Sequence, residues 1–339
     1  MNIRTLLFIP LLAMLWAFPV QAEETSLIKY SGSPIAEPHW FKDSFLELAD
    51  DIAEADEEGK KLIIYFHQAG CPYCYNLVQQ SLLDPALSQY IQEHFDILAL
   101  DLWGDREVTL PNGQVFSEKE LAIHWKIQYT PTLLFFAEKP EPVLRIDGYR
   151  SKAMLAKIFD YVVTGDTKSS LAQRLIQEEQ GSEGTLYPSA DFSFTKQFDQ
   201  IESGKPLAIL FEYPGCADCD QLHRNVLTRR DTHQLLQHFT ALRVDLSDDT
   251  SLTTPQGTVI TAKQWADELG LTYFPSVILL DEKQEERFRI DAYVQAYHFN
   301  TALDYVRLKK HLEFPEFQRY VNERADQLRA AGKKVVITD

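Results

Sequence analysis

Residues 61–76 read KLIIYFHQAGCPYCYN, an apolar run followed by a pair of cysteines. Residues 61–67 are almost continuously apolar, which is typical of a strand buried on both faces of a sheet. Cys71 and Cys74 follow at the expected start of a helix. The free N–H groups at a helix N-terminus favour an anion and lower the pKa of a thiol, so Cys71 is a candidate nucleophile. Cys74, one turn further on, is placed to resolve a mixed disulfide.

The same pattern returns about 145 residues later, in residues 207–220 with the sequence LAILFEYPGCADCD. Further landmarks recur at an offset of 144, among them His94-Phe95 with His238-Phe239, Arg145-Ile146-Asp147 with Arg289-Ile290-Asp291, and Asp160-Tyr161-Val162 with Asp304-Tyr305-Val306. Capping boxes, Ser117-x-x-Glu120 and Thr261-x-x-Gln264, begin a helix at equivalent places in both copies. A period of this length is a domain and not a solenoid unit, so the chain is predicted to be a tandem duplication.

The N-terminus predicts an export signal. A short basic segment precedes an uncharged, mostly apolar one, and small residues at Val20 and Ala22 are typical of a cleavage site. An uncleaved membrane anchor is the alternative, although the apolar run is shorter than the roughly 20 residues that a spanning helix needs. A signal peptide that is cleaved after Ala22 leads us to expect a periplasmic or secreted protein, in a compartment where disulfides can form. The expected divisions are a signal peptide in residues 1–22, a first domain in residues 23–180 and a second domain in residues 181–339.

The composition and net charge of the chain exclude some classes of function. The chain has 339 residues, of which 33 are Lys or Arg and 50 are Asp or Glu, for a formal net charge of −17. So acidic a surface repels phosphate backbones, and nucleic acid is therefore not an expected partner. The chain is 45% hydrophobic and 24% charged, which is close to an average globular protein and argues against disorder.

The two cysteine pairs admit several interpretations. A structural disulfide is one, although so short a loop removes little entropy from the unfolded chain. A zinc site would need both pairs together, and their separation far exceeds that of a compact zinc ribbon. Haem attachment requires a histidine directly after the second cysteine, where Tyr75 and Asp220 stand instead. A copper site would need His67 or His223 nearby. We expect no metal and no bound cofactor.

The order of strand, CxxC, helix and then a proline just before the next strand resembles the thioredoxin fold. The resemblance covers nearly all of residues 40–165 and 188–310. It implies an α/β fold with two tandem thioredoxin-like domains, each a central mixed sheet flanked by helices. In that family the proline is cis and packs against the CxxC. The matching residues are Thr130-Pro131 in the first copy and Phe274-Pro275 in the second.

The first copy is similar to secreted bacterial thioredoxin-like proteins, including relatives of disulfide isomerases and the thioredoxin of sulfur-oxidation systems. Three features carry this similarity, namely Cys71-Pro72-Tyr73-Cys74, the insertion from Trp103 to Phe116, and Tyr129-Thr130-Pro131-Thr132. The resemblance implies thiol–disulfide exchange on protein substrates. A reductase would also need a membrane electron source, so a membrane electron-transfer partner is a further expectation. The implied site residues are the catalytic cysteines Cys71, Cys74, Cys216 and Cys219, and around the substrate groove Thr130, Pro131, Phe274, Pro275 and Tyr73. We favour a reductase or an isomerase over an oxidase. The alternative is a non-catalytic scaffold with structural CxxC disulfides.

Acidic residues near the cysteines depart from the thioredoxin pattern. Thioredoxin carries a buried Asp six residues before its first cysteine, and Tyr65 and Leu210 occupy the matching positions here. Glu212, four residues before Cys216, is either a substitute for that acid or a solvated or paired acid at an edge. The proton relay of thioredoxin is therefore not expected in its usual form.

The two copies are also expected to differ in redox poise. Asp218 and Asp220 stand beside the second cysteine pair, and like charge disfavours a thiolate. In the opposite interpretation, Asp218 merely complements the dipole at a helix N-terminus. We hypothesise that Cys216 has the higher thiol pKa and its pair the more reducing potential, so that electrons pass from the second copy to the first.

Overall fold

A computed structural model describes residues 36–165, 169–179, 185–201, 204–292, 294–333 and 335. The expected signal peptide in residues 1–22 and the expected domain boundary at residues 180–181 lie outside this part of the chain. Within it, no helix combines the length and the apolar character needed to cross a membrane.

The first repeat is built around a four-stranded mixed sheet. Its elements are α1 (Leu48–Glu57), β1 (Lys61–His67), α2 (Pro72–Asn76), a π-helical turn (Leu77–Leu82), α3 (Pro85–His94), β2 (Phe95–Asp101), β3 (Glu107–Thr109), β4 (Val115–Ser117), α4 (Glu118–His124), β5 (Thr132–Phe136), β6 (Leu144–Asp147) and α5 (Lys152–Thr164). β1 lies between parallel β2 and antiparallel β5, in the order β2-β1-β5-β6. Its five inner residues are buried, as the apolar run predicts for a central strand.

Both faces of β1 are packed, because successive side chains along a strand point to opposite sides. Ile63 and Tyr65 belong to the apolar cluster that also holds Cys71 and Cys74. The intervening Leu62, Ile64 and Phe66 belong to the cluster beneath α1 and α4. The cysteine pair therefore stands at the end of a strand that is held on both sides.

The second repeat has the same core architecture, with one additional strand at the edge of its sheet. After α6 (Leu171–Glu179) come β7 (Ser193–Phe194), a 3-10 turn (Phe198–Gln200), β8 (Leu207–Glu212), α7 (Ala217–Leu222), a π-helical turn (His223–Leu227), α8 (Arg230–Leu236), β9 (Thr240–Asp245), β10 (Ser251–Thr253), β11 (Val259–Thr261), α9 (Ala262–Glu268), β12 (Ser276–Leu280), β13 (Glu286–Ile290), α10 (Ala296–Arg307), a 3-10 turn (Lys310–Leu312) and α11 (Phe317–Ala330). The sheet order is β13-β12-β8-β9-β7. Both capping boxes form, at Ser117 and at Thr261. The predicted duplication of a mixed α/β domain is confirmed.

The two repeats pack against each other where a loop of each repeat meets the last strand of the other. Tyr129 Oη donates a hydrogen bond to the Arg289 carbonyl oxygen at 2.9 Å. In the reciprocal direction, Thr272 Oγ1 donates to the Arg145 carbonyl oxygen at 3.5 Å. Arg145 and Arg289 are equivalent residues of the duplication, so the equivalent strands β6 and β13 each accept a hydrogen bond from the other repeat, although the two donors are not equivalent residues.

Close backbone approach at this interface depends on a glycine. Gly148 has a φ of 78°, and a Cβ added there would lie 2.4 Å from the Cβ of Ala292 in the other repeat. Beside it, Arg150 is fully buried, and its Nη2 donates to the Asp291 carbonyl oxygen at 3.0 Å. The guanidinium also lies over the ring of Tyr273, 4.4 Å from the ring centroid.

Candidate active site

The first cysteine pair is a disulfide at the start of α2. The Cα atoms of Cys71 and Cys74 are 5.3 Å apart. Cys71 is the N-cap residue, and its Sγ accepts a hydrogen bond from the Cys74 backbone N–H at 3.0 Å. Pro72 occupies the first turn, where its missing N–H leaves no hydrogen bond unmade. Cys71 therefore lies at a helix N-terminus, as the sequence predicts.

Thr130 and Pro131 lie against this pair. The peptide bond between them is cis. The Thr130 hydroxyl donates to Cys71 Sγ at 3.5 Å, and the Thr130 carbonyl oxygen is also 3.5 Å from that sulfur. Gln68 Nε2 donates to the same hydroxyl oxygen at 2.9 Å, which fixes the orientation of the hydroxyl. The structure thus brings together the first-copy cysteines and the proline loop that the resemblance assigned to one site.

The second pair repeats the arrangement with one chemical difference. Cys216 and Cys219 form a disulfide with a Cα–Cα distance of 5.2 Å, and the Cys219 N–H donates to Cys216 Sγ at 3.1 Å. The Phe274–Pro275 peptide bond is cis, and the Phe274 carbonyl oxygen is 3.7 Å from Cys216 Sγ. Phe274 replaces Thr130, so this pair has no side-chain hydroxyl at the matching position.

The acids near the second pair have partners of their own. The Asp218 carboxylate accepts a hydrogen bond from Tyr273 Oη at 2.8 Å. Glu212 is 0% exposed on the central strand β8, where it pairs with Arg243 and with His223. Glu212 is therefore a paired acid, which agrees with the expectation that it has a partner. The expectation of a solvated acid at an edge is wrong, because β8 is flanked by strands on both sides.

In the first copy, Tyr65 stands where thioredoxin has its buried acid. Its side chain is buried in the same cluster as Cys71 and Cys74, and its hydroxyl has no hydrogen-bond partner among the described residues. Burial raises its pKa far above the usual range, so the phenol stays protonated. His67 stacks on the Tyr65 ring, and its Nε2 is 3.6 Å from Glu37 Oε1. In the described part of the chain, no group of three His, Cys, Asp or Glu side chains is arranged to hold a metal.

The second domain covers the first cysteine pair, which sequence reasoning missed. Cys71 is only 4% exposed, and it lines a cavity of about 210 Å³. One wall of this cavity comes from the first domain and includes Tyr73 and Trp103. The opposite wall is formed by residues of the second domain, namely Ala292, Val294, His298, Gln318, Val321 and Asn322. Gln68 ties the walls together, because its Nε2 also donates to Gln318 Oε1 at 3.2 Å.

His298 stands out in this wall because it is titratable and buried. It is 8% exposed, and burial lowers its pKa to about 4. Its ring meets the Tyr73 ring edge to face, with 5.8 Å between centroids. No spacing or periodicity links His298 to a cysteine 227 positions earlier in the chain, so no sequence signal could have assigned it to this site.

Comparison with known proteins places this geometry in a family. A model of the thioredoxin-like domain matches twice, at residues 48–163 and 196–307. No curated protein matches the chain. Similar solved structures include a thioredoxin-fold protein from Helicobacter pylori, with 22% identity over 36% of this chain and 81% of that one and a TM-score of 0.31. A thioredoxin from Thermus thermophilus has 27% identity over 34% and 83%, with a TM-score of 0.28. The DsbD C-terminal domain from Neisseria meningitidis, in its reduced form, has 17% identity over 31% and 83%, with a TM-score of 0.25.

Two CxxC pairs at disulfide distance within this fold indicate thiol–disulfide redox chemistry. The two family matches together span more than half of the chain, one over each repeat. The protein therefore belongs to the thioredoxin-like domain family, as a tandem duplication with one CxxC in each copy.

Proposed function

We propose that the protein is a periplasmic thiol–disulfide oxidoreductase that acts on protein or peptide thiols through Cys71 and Cys74. The observation that carries this proposal is the placement of Cys71 Sγ. It lies at a helix N-cap, accepts the Cys74 N–H at 3.0 Å and has the Thr130 hydroxyl at 3.5 Å. In the reduced protein these two donors would face a thiolate, which is the reactive form of cysteine.

The exchange follows from this geometry. The Cys71 thiolate attacks one sulfur of a substrate disulfide, which forms a mixed disulfide and releases the other substrate sulfur as a thiolate that takes up a proton. Cys74 then attacks Cys71 Sγ, which releases the second substrate thiol and closes the Cys71–Cys74 disulfide. Two electrons pass from the cysteine pair to the substrate. No bound cofactor is needed, because the sulfur atoms carry the electrons.

We favour the reductase or isomerase direction. A CxxC is strongly oxidising when its reduced form is stabilised, as by a cation beside the thiolate. None of the described residues that line the Cys71 cavity is a Lys or an Arg, and burial keeps His298 neutral. The reduced pair therefore lacks the charge stabilisation that an oxidase would use.

The small cavity at Cys71 also limits the class of substrate that can reach the cysteine. A cavity of about 210 Å³ is smaller than the about 300–1,000 Å³ of common ligand pockets. It accommodates a cysteine side chain on an extended segment, or a small thiol, more readily than a folded surface. A folded protein substrate would require the second domain to move away from Tyr73 and Trp103.

The second pair is proposed as the electron entry point. Asp218 and Asp220 lie in the first turn of α7, next to Cys216, and disfavour its thiolate form. Electrons from a membrane partner would reach Cys216 and Cys219 first and then the first pair. Periplasmic location rests on the apolar N-terminal segment of the sequence, which is typical of an export signal.

The test is the reduction potential of each pair, measured separately in the full chain. The variants Cys216→Ser/Cys219→Ser and Cys71→Ser/Cys74→Ser isolate the two pairs, which are equilibrated with defined thiol buffers and trapped by alkylation. The reduction potential of thioredoxin is about −270 mV and that of a strong oxidant is about −120 mV. A first-pair potential toward the reducing end supports the proposed direction. A value near the oxidising end would overturn it.

A scaffold with structural disulfides is the second candidate, and burial is the observation that favours it. Cys71 is 4% exposed and Cys216 is 2% exposed. Dithiothreitol treatment of the native protein followed by alkylation separates the two candidates. A scaffold predicts pairs that stay oxidised until the protein unfolds, whereas an oxidoreductase predicts reduction of the folded chain.

A further inference from the structure

We infer that Gln68 is a positioning residue for Cys71, which directs the Thr130 hydroxyl proton onto the Cys71 sulfur and so stabilises the thiolate. The second domain holds Gln68 in place through Gln318. The inference deepens the proposed exchange function and rests on it. It gives the second domain a part in the reactivity of the first cysteine pair.

The orientation of the Gln68 amide is fixed by a group that can only donate. Trp103 Nε1 donates a hydrogen bond to Gln68 Oε1 at 2.8 Å, and an indole N–H has no lone pair with which to accept one. The other end of the amide is therefore the NH₂ group, which donates to Thr130 Oγ1 at 2.9 Å. A flipped amide would set two donors against each other at Trp103, so this contact excludes it.

The second N–H of the Gln68 amide contacts the second domain. Gln68 Nε2 donates to Gln318 Oε1 at 3.2 Å, and Gln318 Nε2 donates to the Gln128 carbonyl oxygen at 3.1 Å. A backbone carbonyl can only accept, so the orientation of the Gln318 amide is fixed as well. Gln318 lies in α11 and is buried. The chain of hydrogen bonds therefore has a defined direction, with an indole donor at one end and a carbonyl acceptor at the other.

This direction places the Thr130 proton on the sulfur. The Thr130 oxygen accepts a hydrogen bond from Gln68, so the hydroxyl proton cannot point toward that N–H group and points to Cys71 Sγ, 3.5 Å away. Thr130 is buried, which limits competition from water. A hydrogen bond to the charged form of a group favours that form, so the donated proton lowers the pKa of the Cys71 thiol.

The second repeat lacks this device. In the duplication, Tyr213 occupies the position of Gln68, and Phe274 occupies the position of Thr130. The Tyr213 and Phe274 rings meet edge to face, with 5.8 Å between centroids. The two positions therefore form a polar pair in one repeat and an aromatic pair in the other. Phe274 has no proton to donate to Cys216, so the stabilisation of the thiolate by an oriented hydroxyl is specific to the first pair.

The surroundings of Cys71 allow its ionisation to be measured. The titratable side chains around it are one imidazole and four phenols, namely His298, Tyr65, Tyr73, Tyr129 and Tyr149. Burial lowers the pKa of His298 to about 4, and it raises the pKa of Tyr65, Tyr129 and Tyr149 above the ordinary phenol value of about 10. The described residues that line the cavity include no Asp, Glu, Lys or Arg. The charged Arg319 lies over the Trp103 ring, 4.8 Å from its centroid, and is not part of this lining.

The experiment measures the pKa of Cys71 from the rate of alkylation by iodoacetamide between pH 5 and pH 9. The full chain carries Cys216→Ser/Cys219→Ser and is reduced before labelling, and mass spectrometry of the peptide identifies modification at Cys71. The midpoint of the pH profile gives the pKa of the thiol, whereas the plateau rate gives access to the sulfur. A change in packing alone alters the plateau and leaves the midpoint in place.

Three variants remove successive members of the chain of hydrogen bonds, namely Gln318→Met, Gln68→Met and Thr130→Val. A fourth variant combines Gln68→Met with Thr130→Val. Gln80→Met is the matched control, because Gln80 is another half-buried glutamine of the first domain. Its amide contacts Asn76 and Tyr149 and not Thr130.

We expect Thr130→Val to raise the pKa of Cys71 by about 1 to 2, because a hydrogen bond to a charged group is lost. Gln68→Met should raise it by about 0.5 to 1, since the hydroxyl remains but is no longer oriented, and Gln318→Met by about 0.3 to 0.5. Added to Thr130→Val, Gln68→Met should change the pKa by less than about 0.3, because Gln68 acts through the hydroxyl. Gln80→Met should match the parent. Should Gln68→Met fail to fold, Gln68→Leu carries the same test.

An unchanged midpoint in Gln68→Met would overturn the role of Gln68, even if the plateau rate changed. An equal shift with and without the Thr130 hydroxyl would also overturn it, because Gln68 would then act by another route. An unchanged midpoint in Gln318→Met would overturn the part assigned to the second domain. A parent whose Cys71 is not alkylated at any pH after treatment with a reductant would refute the proposed exchange function itself. The two failures are therefore distinguishable.

Discussion

Replacing Arg150 with Met tests whether contact between the domains keeps Cys71 covered. Arg150 is fully buried where the two repeats meet. Its Nη2 donates to the Asp291 carbonyl oxygen at 3.0 Å, and the guanidinium lies 4.4 Å from the Tyr273 ring centroid. Within its own domain, Nη1 donates to the Asp147 carbonyl oxygen at 2.7 Å. Met fills similar space but makes none of these polar contacts.

The size of the effect follows from the contacts between the domains. A hydrogen bond from a charged donor contributes about 1.5–3 kcal/mol. A desolvated cation–π contact contributes about 2 kcal/mol. Loss of both contacts destabilises the closed arrangement of the domains by about 3.5–5 kcal/mol. Since about 1.4 kcal/mol corresponds to a tenfold change in an equilibrium constant, the population of separated domains should rise by two to four powers of ten. Arg150→Met should therefore expose Cys71 at least about a hundredfold more often.

The assay is alkylation of the reduced protein by a bulky maleimide and by small iodoacetamide, with Cys216→Ser/Cys219→Ser in the background. The bulky reagent reaches Cys71 only when the domains separate, so its rate should rise in the Arg150→Met variant. Arg287→Met is the control, because Arg287 pairs with Asp281 inside the second domain. Equal rates of bulky labelling in parent and Arg150→Met would refute the reasoning. So would a parent that the bulky reagent already labels as fast as the small one.

Three further predictions concern charge. Burial lowers the pKa of His298 to about 4, so below about pH 6.5 the unfolded chain binds a proton that the folded chain does not. The free energy of unfolding should therefore fall by about 2–3 kcal/mol between pH 7.5 and pH 4.5. Urea unfolding should show a larger fall in the parent than in His298→Phe. Asp218→Asn should lower the thiol pKa of Cys216 by about half a unit to one unit, because a like charge is removed; the pH profile of alkylation measures this with the first cysteine pair replaced by serine. Glu212→Gln should destabilise the second domain by about 3–5 kcal/mol in urea unfolding, because it leaves buried Arg243 without its counter-charge.

Each of these predictions has a matched control and a contrary outcome. For His298, a pH dependence of unfolding that is the same in parent and variant contradicts the buried neutral imidazole. For Asp218, the control is Asp249→Asn, at an exposed carboxylate that pairs with Lys263; equal shifts in Cys216 reactivity would show that Asp218 has no specific effect. For Glu212, the control is Glu285→Gln at the surface, and a loss below about 1 kcal/mol in Glu212→Gln would contradict the buried pair.

The sequence predicted the features that depend on neighbours in the chain. The apolar run of residues 61–67 predicts a central strand because a strand buried on both faces tolerates few polar residues. The placement of Cys71 and Cys74 predicts a helix N-terminus, and the structure has Cys71 as the N-cap. Repetition at an offset of 144 predicts the second domain. These signals are local or periodic, so residue spacing alone carries them.

The partners of Glu212 could not be predicted from the sequence. Its distance from Cys216 along the chain suggested either a proton relay or an edge acid. The choice depended on which side chains approach it, and these are Arg243 on β9 and His223 in the turn after α7. Partners of a buried charge come from elements brought together by folding, and spacing in the sequence does not identify them.

Pattern and spacing along the chain were enough to specify a duplicated α/β protein with two CxxC pairs, each at the start of a helix and each followed by a proline just before a later strand. Only the tertiary structure decided that the second domain covers the first pair and places His298 in the Cys71 cavity. The physical reason is that this arrangement arises from packing between two folded surfaces. It depends on Gly148 meeting Ala292 and on Arg150 meeting Tyr273, contacts between residues more than a hundred positions apart that no periodicity encodes.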